Sequence, residues 1–437
     1  MSLTTAPVLN NPRTIQAWCM YDWANSVYSL VITSAIFPVY YQSITTGING
    51  SDQVSFLGWQ VTNSVLYSYA LSFSFLIIAP LLPLLSGVAD YVGNKKAFMK
   101  FFCYLGGTAC MGMYFFNEST LVWGILCVVL ASIGYSGSLV FYDAFLPEIS
   151  SEDQFDRISA KGYSWGYYGG AILLIINLLM IQFHPAFGWQ EGTTVRLSFF
   201  MVGIWWIGFA QIPFFLLPEN SIKRSFSSST FTKGYEELLK VWRSFKHNRD
   251  LKWYVLAYFF FNMGVQTVMY MAATFGSKEL KLPDFKLIAT VLLIQLVAGL
   301  GAFLFARLSR GWGNKNTLIA MISLWIVICL AAYLVVSENQ FYLLAFSVGI
   351  VMGGIQSLAR ATYAKLIPTN SIGHASYFSF FDVTFNLSIV VGTFSYGLVE
   401  HITGSMRNST LAIGGFFVIG LVLLRNVNSP RVLRKGL

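Results

Sequence analysis

Three ionisable side chains lie inside long apolar segments of the sequence, where a charge is expensive. Asp22 is about seven residues into segment 15–41, roughly 10 Å along a helix that rises 1.5 Å per residue. Arg360 is about six residues from the end of segment 339–366, and Asp382 is about ten residues into segment 374–399. A charge in a membrane-spanning helix normally faces a polar interior and has a function there.

These positions suggest a gate. With the orientation derived below, Asp22 and Arg360 lie at a similar depth from the same side, so they are candidates for an ion pair that forms when the inner side closes. A substrate carboxylate or a proton on Asp22 would then break the pair. Alternatively the two act separately, with Asp22 bonded to backbone or hydroxyl groups and Arg360 extending to the interface. Asp382 is a candidate proton site, and Asp143, near the inner end of its segment, is a further gating candidate.

The sequence DYVGNKK at 90–96 follows the second apolar segment. It is either a turn with positive charges or a conformational latch. As a latch, Asp90 would accept hydrogen bonds from the N-terminus of a neighbouring helix or pair with a cation on the facing half of the protein. Gly93 and Lys95 belong to the same candidate latch.

Glycines at 162, 166 and 170 fall at i, i+4 and i+8. This spacing is typical of close helix packing, and it could also provide a sliding surface between the two halves. Packing alone is sufficient to explain the stripe.

The patterns of metal, cofactor and nucleotide sites are missing from the sequence. The four histidines are scattered, there is no HExxH, and the five cysteines form no CxxC pair, so we expect no metal and no cofactor. No G-x-x-x-x-G-K-[ST] occurs, which disfavours an ATP-driven motor. The net charge of +9 is spread over short loops, so we expect no nucleic-acid partner.

Composition indicates an all-α integral membrane protein. Hydrophobic residues make up 55% of the 437 residues and charged residues 11%, against about 25% charged in a soluble domain. Twelve apolar segments predict twelve transmembrane helices: 15–41, 60–86, 97–116, 120–146, 160–183, 196–217, 252–276, 285–306, 316–336, 339–366, 374–399 and 409–425. With the N-terminus inside, 23 Lys and Arg residues fall on inner segments and 5 on outer ones, which places both termini in the cytoplasm.

The two halves of the chain repeat each other. Gly93-Asn94-Lys95 and Gly313-Asn314-Lys315 are offset by 220 residues, and each follows the second helix of its half. We therefore predict two six-helix bundles, 1–217 and 252–437, arranged as parallel copies. The segment 218–251 between them begins Ser-rich and continues as an amphipathic helix on the inner surface.

Several motifs identify a resemblance. The sequence 86–96, SGVADYVGNKK, resembles the loop signature of the major facilitator superfamily, with Asp90, Gly93 and Lys95 matching and Tyr91 departing from it. The second copy keeps Gly313 but has Arg310 where the aspartate would be. YDWANS at 21–26, FPVY at 37–40 and FLPEI at 145–149 are similar to the vacuole-effluxer-like branch of that superfamily.

This resemblance implies that helices 1, 4, 7 and 10 line a central cavity, and helical periodicity then selects faces on them. The candidates for solute binding are polar and aromatic: Asn25, Tyr28, Tyr135, Tyr142, Asn262, Gln266, Gln356, Arg360 and Tyr363. For the Asn and Gln residues, hydrogen bonding between helices is an equally good interpretation. The candidates for coupling or gating are Asp22, Asp90, Gly93, Lys95, Asp143, Arg310 and Asp382.

The resemblance further implies a secondary transporter that works by alternating access. We expect a proton-coupled carrier of a small polar solute, such as an amino acid, with efflux as a candidate direction. It would act as a monomer in the lipid bilayer. The membrane would be the plasma membrane in a bacterium and the vacuolar membrane in a fungus. Two alternatives stay open: a polytopic membrane enzyme such as a lipid-modifying transferase, and a non-transporting receptor with the same fold.

Overall fold

The computed structural model describes residues 9–46, 53–219, 224, 230–368 and 373–428. Almost all of these residues are helical. The helices are α1 Pro12–Val27, α2 Ile36–Thr45, α3 Asn63–Val92, α4 Lys95–Gly112, α5 Leu121–Asp143, α6 Leu146–Ile149, α7 Phe155–Gln182, α8 Glu191–Leu216, α9 Thr230–His247, α10 Arg249–Leu280, α11 Asp284–Trp312, α12 Asn314–Leu334, α13 Glu338–Leu366, α14 His374–Thr403 and α15 Met406–Arg425.

The predicted all-α membrane fold is confirmed. Eleven segments of the described chain are long and apolar enough to cross a membrane, and α1 and α2 together form the first of them. The twelfth predicted span, 97–116, corresponds to α4. This helix has 18 residues, and three of them are Lys95, Lys96 and Lys100, so its charge separates it from the other eleven.

The first span is interrupted by a π-helical segment, Tyr28–Ala35, between α1 and α2. Pro38 has no backbone N–H, so it cannot donate to the Ser34 carbonyl as an α-helix would require. Within the segment, the Ser34 hydroxyl donates to the Ser29 carbonyl at 2.8 Å. Wide π turns redirect the side chains that follow them. The side-chain directions of α2 therefore do not continue the periodicity of α1, which carries Asp22.

One short β-hairpin was not predicted. Strands β1 Gln53–Phe56 and β2 Trp59–Thr62 pair antiparallel, with Phe56 opposite Trp59. Leu57 and Gly58 connect them, both with positive φ, as a two-residue hairpin turn requires. The predicted span 60–86 was therefore placed too early, since its helix α3 begins at Asn63 and continues to Val92.

The helices pack as two groups, α1–α8 and α10–α15, and α9 lies in the segment between them. We call the end of the bundle where α1 begins and α15 ends the inner end. The groups meet along α7, which packs on α11 and α13, and along α14, which packs on α3 and α5. We call this boundary between the two groups the seam. Asp90, Asp143, Arg310 and Asp382 lie on helices that form it, Asp22 lies on the neighbouring α1, and Lys95 begins α4.

Candidate functional site

Arg360 is the centre of a buried cluster that joins the two groups of helices. Its side chain, on α13, is only 2% exposed. Nη2 lies 3.2 Å from Oδ2 of Asp22 on α1, and Nη1 lies 2.9 Å from Oδ1 of Asp143 on α5. Nε donates to the hydroxyl of Ser159 at 2.9 Å, and Nη2 donates to its carbonyl at 3.1 Å. The guanidinium thus holds three helices of the other group at once.

Aromatic rings enclose this ion pair. The guanidinium carbon lies 4.2 Å from the ring centre of Tyr163 and 4.7 Å from that of Trp18. The Tyr142 hydroxyl donates to Oδ2 of Asp22 at 2.7 Å, and Trp18 Nε1 donates to the Tyr142 carbonyl. Stacked rings favour a guanidinium and exclude water, which strengthens each charge interaction. Asp22 is consequently held in one position by both an arginine and a tyrosine.

A glycine makes room for this carboxylate. A Cβ at position 162 would lie 2.4 Å from Asp22 Oδ2 and 3.1 Å from Arg360 Nη2. Farther along α7, Cβ atoms at Gly166 and Gly170 would meet Ser26 and Leu30 of the first span. The glycine stripe therefore packs α7 against the first span within one group of helices. It is not a sliding surface between the two groups.

Asp90 caps a helix of the opposite group. Its carboxylate accepts from the backbone N–H of Ala375 at 3.2 Å and of Ser376 at 2.8 Å, and from the Ser376 hydroxyl at 2.7 Å. These are the unpaired N–H groups of the first turn of α14, where a negative charge also meets the positive end of the helix dipole. Gly93 ends α3 in the left-handed conformation, with φ 74°.

A second chain of charges runs beside this cap. Lys95 is buried, forms an ion pair with Glu148, and donates to the Ala144 carbonyl at 3.1 Å. Glu148 in turn lies 3.2 Å from Nδ1 of His374, the first residue of α14. Glu148 therefore links α14 to the Lys95 side of the seam. Glu148 was not among the gating candidates selected from the sequence.

A second polar cluster across the seam lies at the start of α7, and sequence analysis missed it. We call these contacts of Asp156 the Asp156 lock. Asp156 Oδ2 forms an ion pair with Lys365 at 2.8 Å and accepts from the Ser309 hydroxyl at 3.0 Å, while Oδ1 accepts from Asn314 Nδ2 at 2.8 Å. The repeat offset of 220 matches Asp156 to Ser376 and thus could have revealed it. Arg310 does not take part: it is exposed and has no ion pair among the described residues, and Ser309 makes the contact instead.

The predicted cavity residues fall into two classes. Gln356 reaches the facing group, as Arg360 does, since its Oε1 accepts from the Tyr167 hydroxyl at 2.6 Å. Tyr135 and Tyr28 stay within their own group, with ring centres 4.9 Å apart. Three more bond within the other group: Asn262 to Ser388, Gln266 to Asn262, and the Tyr363 hydroxyl to the Tyr377 carbonyl. For these three, hydrogen bonding between helices accounts for the side chain.

Two candidates keep unused polar atoms. Asn25 is 1% exposed, and its Nδ2 has no hydrogen-bond partner in the described part of the chain. Asp382 accepts from Asn386 Nδ2 at 2.7 Å and has no ion pair among the residues described. The structure therefore brings two acidic side chains, Asp22 and Asp143, to one arginine, while Asp382 bonds within α14.

All these contacts close the inner end. Among the described residues, every hydrogen bond between α1–α8 and α10–α15 comes from the inner half of the bundle. The two farthest from the inner end involve Gln356, ten residues before the end of α13 at Leu366, and Gly299, 13 residues before the end of α11 at Trp312, or about 15 and 20 Å along their helices. No group of three candidate metal ligands occurs within the described ranges.

Comparison with known proteins assigns the family. The family model described as "Vacuole effluxer Atg22 like" matches residues 10–436. The chain is 30% identical over 413 residues to an uncharacterised MFS-type transporter, YxiO, of Bacillus subtilis, covering 93% of each chain. It is 22% identical to autophagy-related protein 22-2 of Aspergillus niger, covering 88% of this chain and 79% of the relative.

Solved structures agree on the fold. The human organic anion transporter MFSD10 superposes with a TM-score of 0.70 and 13% identity, covering 95% of this chain and all of that one. The transporter FucP in its outward conformation superposes with a TM-score of 0.68 and 13% identity, covering 96% and 99%. The relatives are transporters and not enzymes. The chain is therefore a multi-pass membrane protein that belongs to the Atg22-like vacuole effluxer family of major facilitator transporters.

Proposed function

We propose that this transporter moves a small polar solute, an amino acid or a similar compound, by alternating access. The observation that carries the proposal is the Arg360 cluster, because it joins both groups of helices with charges that are costly to bury unpaired. Such a cluster is stable when closed and needs a specific event to open it. The Asp90 cap and the Asp156 lock lie inward of it and open together with it.

We further propose that protons supply the opening event. The cluster holds Asp22 and Asp143 against a single guanidinium, so the acids outnumber the base. A proton on Asp22 would remove its attraction to Arg360 while Tyr142 still bonds the carboxyl. A solute carboxylate could compete for the same guanidinium. In this scheme the halves are 1–217 and 252–437, and one chain is the working unit.

The inner end faces the cytoplasm in this proposal, as the bias of 23 to 5 basic residues indicates. The membrane would be the plasma membrane of a bacterium or the vacuolar membrane of a fungus. Single cysteines at Ser119 and Asn339 should then label from outside intact cells, and one at Asn316 should not. The five native cysteines are all buried, so they leave a low background. Outside labelling of Asn316 would reverse the orientation.

Counterflow in proteoliposomes tests the transport proposal. Vesicles preloaded with single unlabelled amino acids, sugars or nucleosides should accumulate the labelled form of the true solute, and an imposed pH gradient should change the rate. Exchange without any response to pH would reject the proton coupling. If no solute class exchanges while the protein is correctly folded, the transport proposal fails.

A further inference from the structure

Helix α9 crosses the seam between the two groups of helices. Its first half packs on the inner end of α3, where Gly234 lies against Gly87 and Val88. Its second half packs on α14: the ring of Phe245 lies 5.7 Å from that of Phe380, and Tyr377 donates to the Ser244 hydroxyl at 2.8 Å. A Cβ at Gly373 would meet both Val241 of α9 and Asp90. Helix α9 is thus fastened directly over the Asp90 cap.

The contact with α3 exists because two glycines face each other. A Cβ at position 87 would lie 2.3 Å from the Gly234 carbonyl oxygen, and one at 234 would lie 2.8 Å from the Val88 backbone. If α3 and α14 separate at the inner end, α9 cannot keep both neighbours. The contacts of α9 with both α3 and α14 therefore stabilise the closed inner end.

The other side of α9 is unusual for a helix at a polar surface. Gly234, Leu238, Val241 and Phe245 form the stripe that packs on the protein. Shifted by one residue, Tyr235, Leu239, Trp242 and Lys246 form a second stripe at i, i+4, i+7 and i+11. Tyr235 is 51% exposed, and Trp242 is 41% exposed although its ring also packs on Phe380 of α14, with ring centres 5.5 Å apart. Exposed aromatic residues beside basic ones are typical of a helix in the membrane interface.

We propose that this second stripe, with Arg243 beside it, binds anionic phospholipid headgroups of the leaflet at the inner end, and that the bound lipid holds α9 on the seam. The basic residues supply the charge: Arg243 and Lys246 are both exposed. Tyr235 and Trp242 would lie among the headgroups and anchor the helix at that depth. The effect on gate opening rests on the proposed function, but the lipid binding does not.

Gate opening can be followed at Ala364, one turn inward of Arg360 on α13 and buried in this structure. A cysteine there should react with a small thiol reagent only when the inner end opens. We would compare nanodiscs of phosphatidylcholine with and without phosphatidylglycerol. Phosphatidylglycerol should slow the alkylation. The double variant Arg243→Gln/Lys246→Gln should lower the apparent affinity for phosphatidylglycerol in this response about 10- to 30-fold, from the attraction of about 1 kcal/mol that each basic residue contributes near an anionic surface.

The matched control is Lys233→Gln/Lys240→Gln, which removes the same charge from the opposite flank of the same helix. It should respond to phosphatidylglycerol as the parent does. Equal loss in both double variants would show a non-specific charge effect and overturn the assignment of the stripe. No response of the parent to phosphatidylglycerol would overturn it as well.

A second variant separates the contact of α9 with α3 from lipid binding. Gly234→Leu should force α9 off α3 while raising the intrinsic helix propensity of α9. We expect faster alkylation at position 364 in phosphatidylcholine and a lost response to phosphatidylglycerol. Alkylation at the parent rate would show that the contact of α9 with α3 does not stabilise the closed inner end. If the lipid response is present but no solute is transported in counterflow, the proposed function fails and this inference stands.

Discussion

Removing the Arg360 side chain should release the inner gate more than removing any single partner does. In Arg360→Gln, Asp22 keeps only its bond from Tyr142, and Asp143 loses its ion pair. In Asp22→Asn, Arg360 keeps Asp143 and both bonds to Ser159. Leaving a buried charge without its partner costs about 3–5 kcal/mol. A lost hydrogen bond to a charged group costs about 1.5–3 kcal/mol.

The two single variants should therefore open the inner end to different extents. In the double variant the two effects on opening should not be additive. In a background with Ala364→Cys, we expect the alkylation rate to rise in the order parent, Asp22→Asn, Arg360→Gln. The double variant Asp22→Asn/Arg360→Gln should resemble Arg360→Gln, with a coupling of about 1 kcal/mol or more. Uptake into proteoliposomes should fall strongly in all three. Effects that simply multiply would show that the two residues act independently and would refute the gate.

Three further variants probe the surroundings of the cluster. Gly162→Ala should displace Asp22, since a Cβ there would lie 2.4 Å from its carboxylate; transport should fall, and normal uptake would contradict the packing of the site. Asp90→Ala should slow turnover while leaving solute affinity within a few-fold in concentration-dependent uptake, because it removes the cap at Ser376 at the inner end of the seam; a large loss of binding would place Asp90 in the solute site instead. Asp382→Asn should weaken the response of uptake to an imposed pH gradient while solute exchange persists; an unchanged response would remove Asp382 from coupling.

The sequence predicted the helices well, because the length of each span follows from residue counts. A bilayer fixes the length of each span, and a rise of 1.5 Å per residue fixes how deep Asp22 and Arg360 lie. The two residues are in contact in the structure, at 3.2 Å. The placement of Asp90 at a helix N-terminus of the facing group also agrees with the latch hypothesis.

Contacts that depend on how helices rotate and pack could not be predicted. Ser159 lies on α7, which contacts helices of both groups, and nothing in its spacing shows that it meets Arg360. The docking of α9 on α3 depends on the absence of a side chain at Gly234, which periodicity cannot reveal. Arg310 was chosen by its position in the repeat, yet the helix turns it outward.

The distance between the two groups of helices, measured at the inner end and at the outer end, tests the account most directly. Spin labels on Ala97→Cys and Asn316→Cys would report the inner end, and labels on Ser119→Cys and Asn339→Cys the outer end; all four positions are exposed. With the transported solute added, the inner distance should increase for part of the population while the outer distance decreases, and Arg360→Gln should shift the population the same way without solute. Distances at both ends that stay fixed with the solute, and in Arg360→Gln, would contradict alternating access through this gate.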